Sequence, residues 1–293
     1  MRVMALGRSQ FLYESIRAVA AVGHTITCIA TSKAAPEYTR TASDFGNLAR
    51  ELKADFIYFD RPSEINQFDI GNTDVGISVN WHTIITEQFI NSFPKGIINA
   101  HIGDLPRYRG NACPNWAILN GEDHVGITLH KMTADLDAGP IVIKEIYPLK
   151  QHTEISDVYN YAELVIPKLF IYTLTRLDSP NFKTSPQEGK SLRCYPRHPI
   201  DNKIEWQQSA EQIHRLIRAS THPFSGAFTH LNGAKIIVWR AYTEQPAFDY
   251  LAVPGQVLER RTDGSIAVAT GDGWLIMDEY APHIIKSHRD RLT

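Results

Sequence analysis

The opening of the chain narrows its fold more than any other stretch. Arg2-Val3-Met4-Ala5-Leu6 is a short apolar run that stops at Gly7. Phe11 to Val22 then carries apolar residues at helical spacing and stops at Gly23. Thr25 to Thr31 is rich in β-branched residues and reads as a second strand. Strand, helix and strand in that order form a βαβ opening, as in a Rossmann-like, mostly parallel sheet. One glycine stands at the first turn and the Gly-x-Gly-x-x-Gly pattern is missing, so a dinucleotide cofactor is not indicated. Arg8-Ser9-Gln10 reads either as an ordinary helix cap or as a helix N-terminus facing an anionic ligand.

The α/β pattern continues with a helix over Phe45 to Leu52 and strands over Phe56 to Phe59 and Asp74 to Val79. A long amphipathic helix over Ile155 to Leu177 carries Pro167 near its middle. Ser179 to Lys190 is rich in Pro, Gly and small polar residues and reads as linker. Beyond it Ser209, with Gln212 three residues on, forms a capping box for a helix through Ala219. Short strands follow at Phe224 to Phe228, Lys235 to Arg240, Gly255 to Glu259, Ser265 to Thr270 and Trp274 to Met277. Asn232-Gly233 and Asp263-Gly264 are hairpin signals between them. The division expected is an α/β domain over 1–185, a linker over 186–204 and a smaller β-rich domain over 205–293.

Composition bounds the function. A chain of 293 residues with 43% apolar and 21% charged residues is ordinary for a globular protein with a full core. A net charge of −2 gives no basic surplus for gripping nucleic acid by its phosphates. Cys28, Cys113 and Cys194 are far apart, show no zinc spacing and fit a reducing compartment. No apolar run reaches membrane-spanning length, and Arg8-Ser9-Gln10 interrupts any signal-peptide core, so a cytoplasmic protein is expected.

The chemistry concentrates between Asn99 and Trp116. Ile97-Ile98 leads in as a buried strand delivering polar side chains to its C-terminal edge. Asn99 and His101, two apart, share one face of that strand. Histidine is the commonest general base near neutral pH, and an amide beside it can donate to an oxyanion. A carboxylate to orient the imidazole is at hand in Asp135-Leu136-Asp137-Ala138-Gly139-Pro140, after the strand Val125 to Leu129. Charge alone does not separate Asp135 from Asp137. Cys113 invites comparison with a thiol hydrolase, but a buried cysteine is more often a small apolar residue.

Taken together, Asn99-x-His101, Leu105-Pro106-Arg107-Tyr108-Arg109-Gly110, Pro114 to Trp116, Gly126-Ile127-Thr128 and Asp137-Ala138-Gly139 resemble the 10-formyltetrahydrofolate-dependent formyltransferase family. The resemblance implies that Asn99, His101 and Asp137 are the catalytic set, so it selects Asp137 over Asp135. The β-rich domain over 205–293 is similar to the barrel-like (OB-like) C-terminal domain of some formyltransferases. The resemblance implies N10-formyltetrahydrofolate as co-substrate, without a metal. It places the folate against the loop after the Asp74 to Val79 strand and against the Asp loop, at Trp81, Thr83, Ile84, Ile85, Asp135 and Leu136. Trp81 also suits a core position.

Within the family the sequence is most similar to sugar N-formyltransferases acting on nucleotide-linked amino-deoxysugars, in Gly103-Asp104-Leu105-Pro106 and in Tyr195-Pro196-Arg197. The similarity implies a dTDP- or UDP-linked acceptor, a 4-amino sugar rather than a 3-amino one, and a role in making surface polysaccharide of the O-antigen type. Candidate acceptor contacts are Arg8, Ser9, Gln10, Gly103, Tyr108, Arg109, Asn111 and Arg197. Methionyl-tRNA formyltransferase is the first alternative, but its basic insertion after the second strand is replaced here by Thr31 to Tyr38 with a single lysine. A formyltetrahydrofolate hydrolase is the second, and its usual regulatory domain is not seen ahead of the strand at Arg2. A homodimer is expected, with Trp239, Val257 and Leu275 either pairing subunits or filling the small domain's core.

Overall fold

A computed structural model describes residues 1–246 and 249–293. The chain forms two compact units. The first comprises Met1–Cys113, His124–Tyr147 and Tyr159–Cys194, and the second comprises Pro114–Asp123, Pro148–Val158 and Tyr195–Thr293.

In chain order the elements through residue 194 are β1 (Arg2–Gly7), α1 (Gln10–Ala21), β2 (Thr25–Thr31), α2 (Ala42–Leu52), β3 (Asp55–Tyr58), β4 (Val75–Val79), α3 (Glu87–Ser92), β5 (Ile97–His101), β6 (Arg109–Gly110), α4 (Cys113–Asn120), β7 (His124–Lys131), β8 (Ile141–Pro148), α5 (Ile155–Arg176) and β9 (Arg193–Cys194). Seven strands make one sheet in the order β3-β2-β1-β4-β5-β7-β8. The βαβ opening is present as read, with β1 parallel to β2 and to β4. α2 starts earlier than its apolar periodicity suggests. Thr41 and Asp44 form a capping box there, satisfying N–H groups that the first turn leaves orphaned.

β4 is buried throughout and β5 nearly so, the pattern of strands covered on both faces. Ile77, Ile97, Ile98, Ile127 and Leu129 are fully buried, each stabilising the fold by about 1.5–3 kcal/mol. The sheet changes direction at β5, which pairs parallel with β4 and antiparallel with β7. That reversal sets Asn99 opposite His130, and His101 opposite Thr128.

The stretch read as linker is structured. Ser185 bridges Ile141, Gln187 hydrogen-bonds two neighbouring loops, and β9 pairs with β6.

The second unit holds α6 (Ala210–Ser220), β10 (Ala227–Leu231), β11 (Ala234–Thr243), β12 (Val257–Arg260), β13 (Ile266–Ala269) and β14 (Trp274–Ala281), with α6 packed on β10, β11 and β14. These strands form an antiparallel sheet in the order β10-β11-β14-β13-β12. α6 carries the Ser209–Gln212 capping box. Asn232 and Gly233, with φ of 49° and 83°, turn β10 into β11 as a hairpin of the primed type requires. β10 begins later than the apolar pattern suggests, because Phe224 donates back to the Thr221 carbonyl and Gly226 to that of Ser220. Val257 and Leu275 lie in the unit's core with Ile217, Val238 and Met277. Trp239 is half-buried and stacks on His222 at 4.0 Å. Among the described residues no helix is long and apolar enough to cross a membrane.

Candidate active site

Asn99, His101, His130 and Asp137 come together at the end of β5. Asn99 and His101 project from one face of the strand, and His130 comes from the antiparallel neighbour β7. The His130 imidazole is almost wholly buried, and its two nitrogens have distinct partners. Nδ1 lies 3.0 Å from the Lys131 carbonyl, to which only an N–H can donate. In the neutral ring Nε2 is then the acceptor, and the Asn99 amide nitrogen donates to it at 3.1 Å. This fixes the amide with its NH2 end toward His130 and leaves its second N–H for another acceptor.

His101 lies between two acceptors. Its Nε2 is 2.6 Å from the Tyr108 carbonyl oxygen and its Nδ1 is 3.6 Å from Asp137 Oδ2. An imidazole so placed can hold a proton on either nitrogen, the arrangement needed by a base that becomes cationic when it acts. Gly103 permits the close approach, since a Cβ there would run into the imidazole and the Tyr108 carbonyl.

Asp137 sits in the left-handed region with φ of 49°. Its Oδ2 accepts the Gly110 N–H at 2.8 Å, and its Oδ1 lies 3.7 Å from His130 Nε2. Burial alone would raise this carboxyl. Positive charge on the His101 and His130 rings, together with the Gly110 N–H, outweighs burial and holds it well below the usual carboxylate range. Asp135, two residues away, is exposed. The arrangement offers an N–H donor, a proton acceptor and an orienting anion within one pocket of polar groups, the components of acyl transfer to an amine.

The loop after β5 is pinned from beneath. Lys144 Nζ donates to Asp104 Oδ1 at 2.6 Å and to the Leu105 carbonyl at 2.5 Å, and His124 Nε2 lies 3.4 Å from Asp104 Oδ2. Thr128 Oγ1 donates to the Gly103 carbonyl at 2.9 Å. Cys113 is buried and directs its thiol at the Tyr108 carbonyl, 2.9 Å away.

Comparison with known proteins matches residues 1–174 to the formyl transferase domain and residues 198–286 to the formyl transferase C-terminal domain. The chain belongs to the formyl transferase family. Among solved structures, HypX from Aquifex aeolicus matches with a TM-score of 0.63 and 20% identity over 96% of this chain. This formyl transferase spans 44% of the length of HypX. The N-formyltransferase from Helicobacter canadensis, solved with folinic acid and dTDP-3-aminofucose, matches with a TM-score of 0.70 and 18% identity over 94% of this chain and 98% of that one. A 4-N formyltransferase from Francisella tularensis matches with a TM-score of 0.63 and 19% identity over 81% of this chain and 96% of that one. At these identities the likeness establishes a shared fold.

The remaining residues singled out from the sequence of this formyl transferase are placed as follows. Trp81 is half-buried, donates to Thr83 Oγ1 at 3.1 Å and meets Phe59 edge-on, so it packs on a core cluster. Ile85 is buried in that cluster, whereas Ile84 is 77% exposed. Leu136 is exposed on the Asp137 loop.

Ser9 is buried and donates to Asn80 Oδ1 at 2.8 Å instead of capping α1. Gln10 is buried too, with its carbonyl oxygen toward the Thr39 N–H. Arg8 donates to the carbonyls of Asn80 and Lys33 and lies over the Tyr38 ring. Tyr108 is buried, Asn111 is exposed, and Arg109 is held by Gln187. Arg197 belongs to the second unit, where it lies over the Trp116 ring and donates to Asn202 Oδ1 at 2.7 Å. Burial lowers its guanidinium from the ordinary value.

Sequence reasoning missed His130 and Gln187. A signal for His130 was present: Gly126, Thr128 and His130 alternate along one face of a strand that is otherwise Val, Ile and Leu. Gln187 gave none, since it stands in a polar, proline-bearing segment with no periodicity.

Proposed function

We propose that this formyl transferase moves the formyl group of N10-formyltetrahydrofolate to the amine of a nucleotide-linked amino-deoxysugar. The observation that carries the reading is the convergence of Asn99, His101 and Asp137, with Asn99 keeping one N–H uncommitted by its bond to His130. The uncharged amine attacks the formyl carbon. Asn99 donates to the oxygen on which negative charge develops, an interaction worth several kcal/mol in comparable sites. His101 takes the proton from the attacking amine, and Asp137 stabilises the cation so formed. The tetrahedral intermediate collapses, with the folate nitrogen leaving and taking up a proton.

The exposed side chains of Ile84 and Leu136 are offered as the apolar contacts for the pteridine. The acceptor class is supported by likeness to the Helicobacter canadensis enzyme solved with dTDP-3-aminofucose and to the Francisella tularensis 4-N formyltransferase. Arg8 and Arg109 are candidates for the diphosphate, whose charge needs only one or two cations. A 4-amino sugar destined for surface polysaccharide is our specific reading, in a cytoplasmic homodimer.

The test is a formyl-transfer assay with N10-formyltetrahydrofolate and a panel of dTDP- and UDP-linked 4-amino and 3-amino deoxysugars, beside initiator tRNA and a water-only control. Turnover on one sugar nucleotide, far above formate release in water, is expected. Transfer to tRNA alone, or formate release unaffected by any acceptor, would move the reading to another class of acceptor.

A further inference from the structure

We infer that Gln187 is a positioning residue for Asp137, a role that rests on the acyl-transfer reading above. Its carboxamide is fully used. Oε1 accepts from Arg109 Nε at 3.1 Å and from Nη2 at 2.6 Å. Nε2 donates to the Asp137 carbonyl at 2.8 Å and to the Gly139 carbonyl at 2.7 Å. A carboxamide has two N–H donors and an oxygen with two lone pairs, so the bonding capacity of this one is met in full.

The backbone it grips needs an external hold. Asp137 has a left-handed φ of 49°, a conformation that a non-glycine residue keeps only where its surroundings impose it. Two residues on, Gly139 is packed so closely against the Lys131 carbonyl that no Cβ fits. The two carbonyls that Gln187 binds flank the turn that aims the Asp137 carboxylate at His101 and His130.

The same downstream segment fixes the carboxylate's other partner. β9 pairs with β6 through Arg109 to Arg193 and Gly110 to Cys194, and the Arg109 N–H donates to the Leu192 carbonyl at 2.9 Å. β6 carries the Gly110 N–H that donates to Asp137 Oδ2. Residues 185–194 therefore tie together the two loops that meet at Asp137, and within the tie the Gln187 side chain hydrogen-bonds both Arg109 and the Asp137 turn. Arg109 is consequently engaged in holding the site as well as available on its remaining N–H groups.

The test uses Gln187→Met, which keeps shape without hydrogen bonds, and Gln187→Glu, which keeps both acceptor contacts to Arg109 but cannot donate to the carbonyls. Both are measured with N10-formyltetrahydrofolate and the best acceptor of the panel above. Each variant should lose about ten- to a hundredfold in kcat while KM for the folate stays within about twofold, since the fault is misplacement of a catalytic group. In an Asp137→Asn background the further loss from Gln187→Met should fall below about twofold, because both changes act through one carboxylate. Carbon-13 spectra of histidine-labelled, ligand-free protein give a readout that needs no acceptor. At a fixed pH the His101 and His130 ring signals should change position in Gln187→Met, because the Asp137 carboxylate beside both rings is displaced.

Wild-type kcat in Gln187→Glu would mean that the carboxamide only holds Arg109, and would overturn the assignment. So would fully multiplicative losses in the double variant, or unmoved histidine signals. If Gln187→Met does not fold, Gln187→Glu decides alone. An Asp137→Asn protein with undiminished turnover defeats the acyl-transfer reading itself. Loss in Asp137→Asn without loss in Gln187→Met defeats only the role of Gln187.

Discussion

Asn99 and His130 face each other across the antiparallel β5–β7 ladder, and the amide nitrogen of one is 3.1 Å from the ring nitrogen of the other. Because the His130 Nδ1 is committed to the Lys131 carbonyl, this contact decides which end of the Asn99 amide points where. His130→Ala removes that constraint and lets the amide turn its oxygen toward the substrate carbonyl. We expect kcat to fall by about ten- to a hundredfold with little change in KM for either substrate, since the lost interaction is made in the transition state. His130→Gln, which can still accept from Asn99, should recover part of the loss. Steady-state kinetics of the two variants check this, and equal defects would argue against an orienting role.

The three groups read as catalytic should behave as a unit. Asn99→Ala, His101→Ala and Asp137→Ala are each expected to lower kcat by about a hundredfold or more with the fold intact by circular dichroism. Their combined loss should fall well short of the product of the single losses. Near-normal turnover in His101→Ala would end the assignment of the base.

Much of this was legible in the sequence because local rules and tertiary packing agree. The βαβ opening, the Ser209 capping box and the Asn232-Gly233 hairpin are each written in a few adjacent residues and appear where their chemistry puts them. Asn99 and His101 share a strand face by spacing alone. The choice between Asp135 and Asp137 was not legible from residues, since it turns on a left-handed backbone held by Gln187 from fifty positions downstream. The partners of Ser9 were hidden for the same reason: a serine before a helix is usually its cap, and only the neighbouring strand end at Asn80 redirects the hydroxyl.

Cys113 is expected to be dispensable for the chemistry. Its hydrogen bond with Cys194 and its burial push the thiol well above the usual range, the opposite of what a thiolate nucleophile requires. Cys113→Ala should retain most of its turnover and show no burst of formylated enzyme in stopped-time mass spectrometry. A formyl thioester trapped on Cys113 would replace the direct transfer derived above.

Acceptor class can be separated by ionic strength. Binding a tRNA acceptor stem would release many counterions, and affinity would fall by orders of magnitude between about 50 and 200 mM salt. A sugar nucleotide carries only its diphosphate, and the chain has a net charge of −2. The KM for the true acceptor should change only a few-fold over that range. A steep loss, with initiator tRNA as the best substrate, would favour the tRNA enzyme.

His214 should make the second unit lose stability in mild acid. Its side chain is almost wholly buried on α6, and among the described residues its Nδ1 has no hydrogen-bond partner, with Glu211 Oε2 3.9 Å away. Burial, with Arg218 nearby, pushes the imidazole down to about 4 from an ordinary value near 6.5. The sign follows from which state binds the proton. Above about pH 6.5 the imidazole is neutral in both states and costs nothing. As pH falls toward 4 the unfolded chain takes up a proton that the folded chain refuses, so folding is penalised. The penalty should reach about 2 kcal/mol by pH 5 and level off below pH 4, where the folded state is protonated too. Urea unfolding at pH 7.5 and pH 5, followed by Trp fluorescence, measures it. His214→Gln, which does not titrate, should flatten the difference by about that amount, and an unchanged pH dependence in the variant would show that another group is responsible.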